Sequence, residues 1–144
     1  DVEHGVEKII EQAADRDGKQ RCGLETLDEQ LGFLDGLEPA MQQEILLQTL
    51  AEARDIEAEM QAMLAAWQDG DTDALARQLA EDFRDYPDLD ERLIYERNAR
   101  WVDQVEAMLD GDDDVLLVVG ALHLVGPRGL PALLERRGLK VRRR

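Results

Sequence analysis

Apolar residues recur every three or four positions over most of the chain, which is the spacing that one face of an α-helix requires. This spacing predicts a first helix that ends near Asp15 and a second helix that runs from Thr26 to about Asp35. Glu29 follows Thr26 at the spacing of an N-terminal capping box, in which each side chain accepts a hydrogen bond from the other residue's backbone. The first part of the chain is therefore predicted to be largely helical.

The longest apolar stripe runs from Leu46 to Trp67, within a helix that we predict from Pro39 to about Trp67. A shorter helix is expected around 73–81, and a second long helix begins near Asp88. Pairing of the two long helices predicts an antiparallel helical hairpin.

Three short segments, 20–25, 115–120 and 139–141, are predicted to be β-strands. The second is a run of aliphatic and β-branched residues without alternation, which is typical of a strand covered on both faces in a parallel sheet. A predicted helix near 131–137 separates the last two segments and completes a strand-helix-strand unit. The sequence therefore predicts a helix-rich α/β fold, in which helices flank a small, mainly parallel sheet and the long hairpin is inserted at about 38–110.

Composition limits the classes of protein that the chain can represent. Its 144 residues fit one domain, and 44% hydrophobic with 35% charged residues supply a core under a heavily charged surface. A net charge of −16 would repel nucleic acid and anionic lipid alike. The apolar runs are too short to cross a membrane, and the single cysteine, Cys22, can form neither an intrachain disulfide nor a cysteine-cluster zinc site. We therefore expect no nucleic-acid partner and no membrane insertion.

Two polar residues stand at equivalent places in the predicted sheet. Glu25 ends one strand and His123 closely follows another, and ligands of open α/β sheets bind at the carboxyl ends of the strands. A carboxylate and an imidazole can bind a divalent metal, or can divide base and orienting roles in proton transfer. A lone histidine at such a place is more often structural than catalytic, and this alternative stays open for His123. The other histidine, His4, lies near the start of the sequence and is interpreted as a surface residue.

A charged residue interrupts the apolar stripe of the second long helix. Arg97 lies on the line that joins Leu93 to Trp101, and Asn98 lies beside it. Burial of an unpaired guanidinium is costly, so Arg97 either reaches solvent or has a partner. We predict that Arg97, Glu25 and His123 converge in one cleft, as a functional site or as a structurally paired network.

Four separated motifs, in order and at matching spacing, resemble those of the TraB/PrgY/GumN family over nearly the whole chain. They are Gly23-Leu24-Glu25-Thr26 with Glu29-Gln30, Trp67-Gln68-Asp69-Gly70-Asp71, Glu96-Arg97-Asn98, and Gly120-Ala121-Leu122-His123-Leu124-Val125-Gly126. The family includes the TIKI proteins, which are metal-dependent proteases that act on Wnt proteins, and many bacterial members of undefined substrate.

This resemblance implies a metal-dependent, peptidase-like hydrolase that acts on a peptide or protein substrate. It implies His123 as a metal ligand, Glu25 as a metal ligand or general base, and Arg97 and Asn98 as supporting groups, with Arg97 forming an ion pair or donating to an oxyanion. It also implies that the parent protein is exported or periplasmic. The alternative is a non-catalytic α/β module that binds a protein partner through its helical hairpin.

The resemblance also suggests that the chain is incomplete. Gly120-Ala121-Leu122-His123 matches the second of the family's two Gly-x-x-His motifs, and nothing in the sequence matches the first. We therefore expect residues 1–144 to be the C-terminal part of one such domain, inactive alone. With two candidate ligands, this fragment should bind no divalent metal tightly, although the full-length protein could. An incomplete sheet and the apolar stripe predict a homo-oligomer, most simply a two-fold dimer.

Overall fold

The structure is a computed structural model that describes residues 5–52, 56–84 and 86–142, so His4 lies outside the described residues. Every regular element in these ranges is helical. The elements are α1 (Val6–Arg16), α2 (Leu27–Asp35), α3 (Pro39–Glu52), α4 (Ile56–Asp69), α5 (Thr72–Asp82), α6 (Pro87–Asp90), a π-helical segment (Glu91–Tyr95), α7 (Glu96–Leu109), a 3₁₀ turn (Ala121–Leu124) and α8 (Leu130–Arg136).

The predicted capping box at the start of α2 is confirmed. The backbone N–H of Thr26 donates to Glu29 Oε2 at 2.7 Å, and the backbone N–H of Glu29 donates to Thr26 Oγ1 at 3.2 Å. At the other end of the chain Gly138 follows α8 with a φ of 88°, a conformation that glycine adopts without strain. Local signals in the sequence therefore locate these helix ends correctly.

The predicted parallel sheet is wrong. In the part of the chain that the structure describes, segments 20–25, 115–120 and 139–141 form no strand, and no backbone hydrogen bond joins them. Within the second segment Leu117 and Val119 pack on the core, whereas Leu116 is 74% exposed. Its unbroken aliphatic run thus has one covered face rather than the two that a parallel sheet would provide. The described fold is all-helical, not α/β.

The observed helical hairpin joins α4 and α5, which are not the two helices predicted to pair. The range predicted as one long helix contains α3 and α4, and residues 53–55 between them lie outside the described residues. Helix α4 packs chiefly on α5 through the Gly70 turn, because Leu75 and Leu79 of α5 supply the buried surface that Met63 covers. The predicted pairing of the two long helices is not among the main packing contacts of the described helices, although Met63 and Ile94 belong to one hydrophobic cluster.

Much of the predicted apolar stripe faces solvent. Its exposed members in α3 and α4 include Leu46, Leu50, Met60 and Trp67, each at least half exposed. No helix in the described ranges has the length and apolar character that crossing a membrane requires.

The π-helical segment changes which residues of the second long helix are buried. The backbone N–H of Glu96 donates to the carbonyl of Glu91, five residues back instead of four. The π-helical turn thus contains one residue more than an α-helical turn. The buried positions therefore step from Leu89 to Ile94, five residues on, and then to Asn98. Asn98 is therefore fully buried, and Arg97, predicted on the apolar line, lies at its border.

The 3₁₀ turn links the two hydrophobic clusters of the described fold. Val125, directly after the turn, belongs to the cluster around Leu75 and Ile94. Leu130, five residues later, packs with Trp101 in the second cluster. His123 is buried in the turn itself, two residues before the anchored Val125, which restricts the movement of its backbone.

Candidate functional site

Glu25 and Arg97 form a buried ion pair. Glu25 lies in the turn before α2 with its side chain only 4% exposed, and Arg97 extends from α7. The Arg97 Nε donates to both carboxylate oxygens at 3.1 Å, and Nη2 donates to Oε2 at 2.9 Å. Arg100 adds a weaker contact, at 3.5 Å from Nη2 to Oε1. The partner that sequence reasoning required for Arg97 is therefore Glu25.

Two aromatic rings and a carbonyl fix the Arg97 guanidinium. Its central carbon lies 4.8 Å from the ring centre of Trp101 and 5.2 Å from that of Phe33, distances at which cations are attracted to aromatic faces. Nη1 donates to the backbone carbonyl of Leu93 at 3.0 Å. The spacing of four residues from Arg97 to Trp101 could have suggested the first contact, whereas no sequence signal connects Phe33 with this site.

Trp101 links the ion pair to His123. The rings of Trp101 and His123 have centres 4.5 Å apart and are tilted by 43°. Glu25, Arg97 and His123 thus belong to one contiguous cluster, together with Asn98. These residues do not meet at strand ends, as the sequence predicts, because the described residues form no strand. They meet because Arg97, Asn98 and Trp101 lie on adjacent turns of α7.

Asn98 determines which nitrogen of His123 carries the proton. The Asn98 amide Nδ2 donates to the carbonyl of Arg128 at 2.9 Å and to that of His123 at 3.4 Å, so Oδ1 is the amide atom that faces the imidazole. Because His123 Nδ1 lies 2.8 Å from this oxygen, an acceptor, Nδ1 must donate. In the neutral ring the free lone pair is therefore on Nε2.

The surroundings keep the imidazole neutral. Burial, and after it the positive charge of Arg97, lower the pKa of His123 from 6.5 to about 4, against the smaller opposing effect of Glu25. At neutral pH His123 is therefore an uncharged base with one available lone pair, the form in which histidine binds metals.

No hydrogen bond among the described residues engages the Nε2 atom of His123. Nδ1 is the ring nitrogen that pairs with Asn98, and the residue as a whole is 6% exposed. In the same part of the chain, Trp101 Nε1 is a buried side-chain nitrogen that has no hydrogen-bond partner. Among these residues the Nε2 lone pair is therefore unused.

The cluster offers a metal ion one suitable ligand, His123, but the described residues do not form a complete metal site. His123 offers a fixed lone pair, whereas both oxygens of Glu25 already accept hydrogen bonds from Arg97. Among the described residues there is no group of three or more His, Cys, Asp or Glu side chains that could hold a metal. The expectation that Glu25 and His123 both ligate a metal remains a prediction.

An open apolar groove borders the site. It has a volume of about 450 Å³, and Arg97 lines it together with Leu27, Phe33, Phe83 and Leu93. An apolar side chain of a bound molecule would fit against these residues.

These features define a helix-rich protein whose buried polar cluster contains a neutral histidine. The TraB/PrgY/gumN family model matches residues 1–143, so the chain belongs to the TraB/PrgY/gumN family. The resemblance seen in the sequence motifs is thereby confirmed. Comparisons with curated proteins and with solved structures found no match.

Proposed function

We propose that this chain forms part of a metal-dependent, peptidase-like hydrolase and that His123 is one of the metal ligands. The observation that carries the proposal is the hydrogen bond between His123 Nδ1 and Asn98 Oδ1, which leaves the Nε2 lone pair free. Histidines that bind metals commonly donate their other ring N–H to such an acceptor, which fixes the ring and the tautomer. A bound divalent metal would supply Lewis-acid activation of water or of a scissile carbonyl.

The remaining residues support the imidazole. Asn98 orients the His123 ring, and Trp101 packs against its face. Of the two roles implied for Arg97, the ion pair is the one its contacts support, because three of its donor contacts go to Glu25. Glu25 therefore acts by holding Arg97 in place, and the general-base role has less support from these contacts.

The ligand set must be completed by groups outside the described residues. Catalytic zinc sites usually have three protein ligands, and the described cluster offers His123 and, less readily, Glu25. We propose that this chain alone binds a divalent metal weakly and is inactive without the missing ligands. A peptide or protein substrate and an exported parent protein are part of the same proposal.

Cobalt titration followed by NMR tests this function. In the variant His4→Gln, His123 is the single histidine of the chain. Paramagnetic Co²⁺ should selectively broaden the His123 ring signals and the backbone signals around position 123, and EDTA should reverse the effect. The backbone broadening should be absent when His123→Gln is added. Co²⁺ broadening confined to signals away from His123 would contradict the proposal. Backbone broadening around position 123 that persists unchanged in the His123→Gln variant would also contradict it. Tight stoichiometric metal at His123 would contradict the proposed need for further ligands.

The exposed apolar stripe favours a second candidate function, a module that associates through its helices. Leu46, Leu50, Met60 and Trp67 are at least half exposed, and large exposed apolar patches commonly mark interfaces. We propose that this surface supports a homodimer. Sedimentation should show self-association that persists at high salt, where repulsion between chains of charge −16 is screened, and that Met60→Lys abolishes. A monomer at high protein concentration in low and high salt would reject it.

A further inference from the structure

We propose that Arg128 and Glu91 are positioning residues that set the tautomer of His123 through Asn98. The inference deepens the proposed function, because it concerns the same imidazole, but its test does not depend on metal binding. The juxtaposition that carries it is an arginine whose side chain is clamped to the π-helical segment while its carbonyl receives the Asn98 amide.

Two residues of the π-helical segment, Glu91 and Tyr95, hold the Arg128 side chain. Nη1 and Nη2 donate to the two carboxylate oxygens of Glu91, both at 2.6 Å, which is the bidentate arrangement that gives arginine pairs their geometric specificity. The guanidinium also lies 4.0 Å from the ring centre of Tyr95. The π-helical segment therefore fixes the direction in which the Arg128 side chain extends from its loop.

The loop that carries Arg128 has little freedom of its own. Gly126 has a φ of 74°, and a Cβ at Gly129 would lie 2.5 Å from the carbonyl oxygen of Val125. The backbone at Gly129 therefore packs directly on that of Val125, two residues after His123. Because residues 126–129 pack this closely, a displacement of the Arg128 side chain would be passed on to the Arg128 carbonyl rather than absorbed by the neighbouring backbone.

That carbonyl determines which way the Asn98 amide faces. Asn98 Nδ2 donates to the Arg128 carbonyl at 2.9 Å and only at 3.4 Å to the His123 carbonyl, so the first bond is the stronger reason for the orientation. If the Arg128 carbonyl moved away, the amide could turn and present Nδ2 to His123 Nδ1. Nδ1 would then have to accept, the proton would move to Nε2, and the free lone pair would be lost.

The test compares Arg128→Ala with Arg137→Ala, both in the His4→Gln background. Arg137 is a matched control, because it also pairs with carboxylates of this helical run, Asp103 at 2.8 Å and Glu106 at 2.7 Å. The two arginine side chains are similarly exposed, at 46% and 48%. Long-range ¹H–¹⁵N correlation spectra at neutral pH report directly which ring nitrogen of His123 carries the proton.

We expect the parent and Arg137→Ala to show His123 protonated at Nδ1, and Arg128→Ala to show a mixture in which Nε2–H is gained. Glu91→Gln, which keeps the size of the side chain but removes its charge, should shift the mixture in the same direction and covers the case in which Arg128→Ala does not fold. An unchanged tautomer in the folded Arg128 or Glu91 variant would overturn the inference, and so would an equal change in Arg137→Ala. Neither result depends on whether Co²⁺ binds His123.

Discussion

Replacement of Glu25 by glutamine should destabilise the fold strongly, although it changes only one carboxylate oxygen to an amide nitrogen. The Glu25 side chain is 4% exposed and Arg97 is 18% exposed, so the variant leaves a guanidinium with little water to replace the lost charge. Loss of one partner from a buried ion pair typically costs about 3–5 kcal/mol. Arg97 keeps the Leu93 carbonyl and two aromatic faces, so we expect the lower end of this range, about 3 kcal/mol.

Urea unfolding of four variants, Glu25→Gln, Arg97→Met, their double variant and Glu106→Gln, measures this cost. Glu106→Gln is the matched control, because Glu106 pairs with Arg137 at 2.7 Å at the surface, where an ion pair contributes about 0–1 kcal/mol. The double variant Glu25→Gln, Arg97→Met removes both charges and should be less destabilised than the sum of its two single variants, because the uncompensated charge is gone. Equal costs for Glu25→Gln and Glu106→Gln, or additive costs in the double variant, would refute the account of this pair.

Two further predictions concern His123 and its loop. Because the pKa of His123 is about 4 in the folded protein against 6.5 for the free side chain, the unfolded chain binds the proton first, and stability should fall by up to about 3 kcal/mol between pH 6.5 and 4. His123→Gln should lack that part of the pH dependence, and urea unfolding of both proteins across this range checks it; equal slopes would contradict the assigned burial. Gly129→Ala should destabilise by about 1–3 kcal/mol, because its Cβ would lie 2.5 Å from a backbone oxygen. Gly32→Ala, inside α2 with open space around it, should stabilise by about 0.5–1 kcal/mol, and thermal unfolding that ranks the two variants otherwise would contradict the packing described.

Helices could be predicted from the sequence because their signals are local. The Thr26 and Glu29 capping box depends on residues three positions apart, and the helical spacing of apolar residues depends on neighbours one turn away. The segment 115–120 could not be predicted in this way. A strand requires a partner that lies far away in the sequence, and the aliphatic run alone does not show whether one or both of its faces are covered.

The site could be predicted in part for a similar reason. A charged residue in an apolar stripe indicated that Arg97 needs a partner, and the partner is Glu25. The shift of one residue at the π-helical segment, which buries Asn98 in place of Arg97, has no signal in residue spacing. The contact with Phe33 and the clamp on Arg128 depend on how separate elements pack together, which spacing within one element does not determine.

The protonation of His123 tests the central claim most directly, because metal binding by His123 depends on a neutral imidazole with its lone pair on Nε2. The measurement is a ¹H–¹⁵N NMR titration of the His4→Gln protein, in which His123 is the single histidine. The structure predicts a pKa of His123 of about 4 and, above it, a ring protonated at Nδ1. A pKa near 6.5, or a neutral ring protonated at Nε2, would contradict the account.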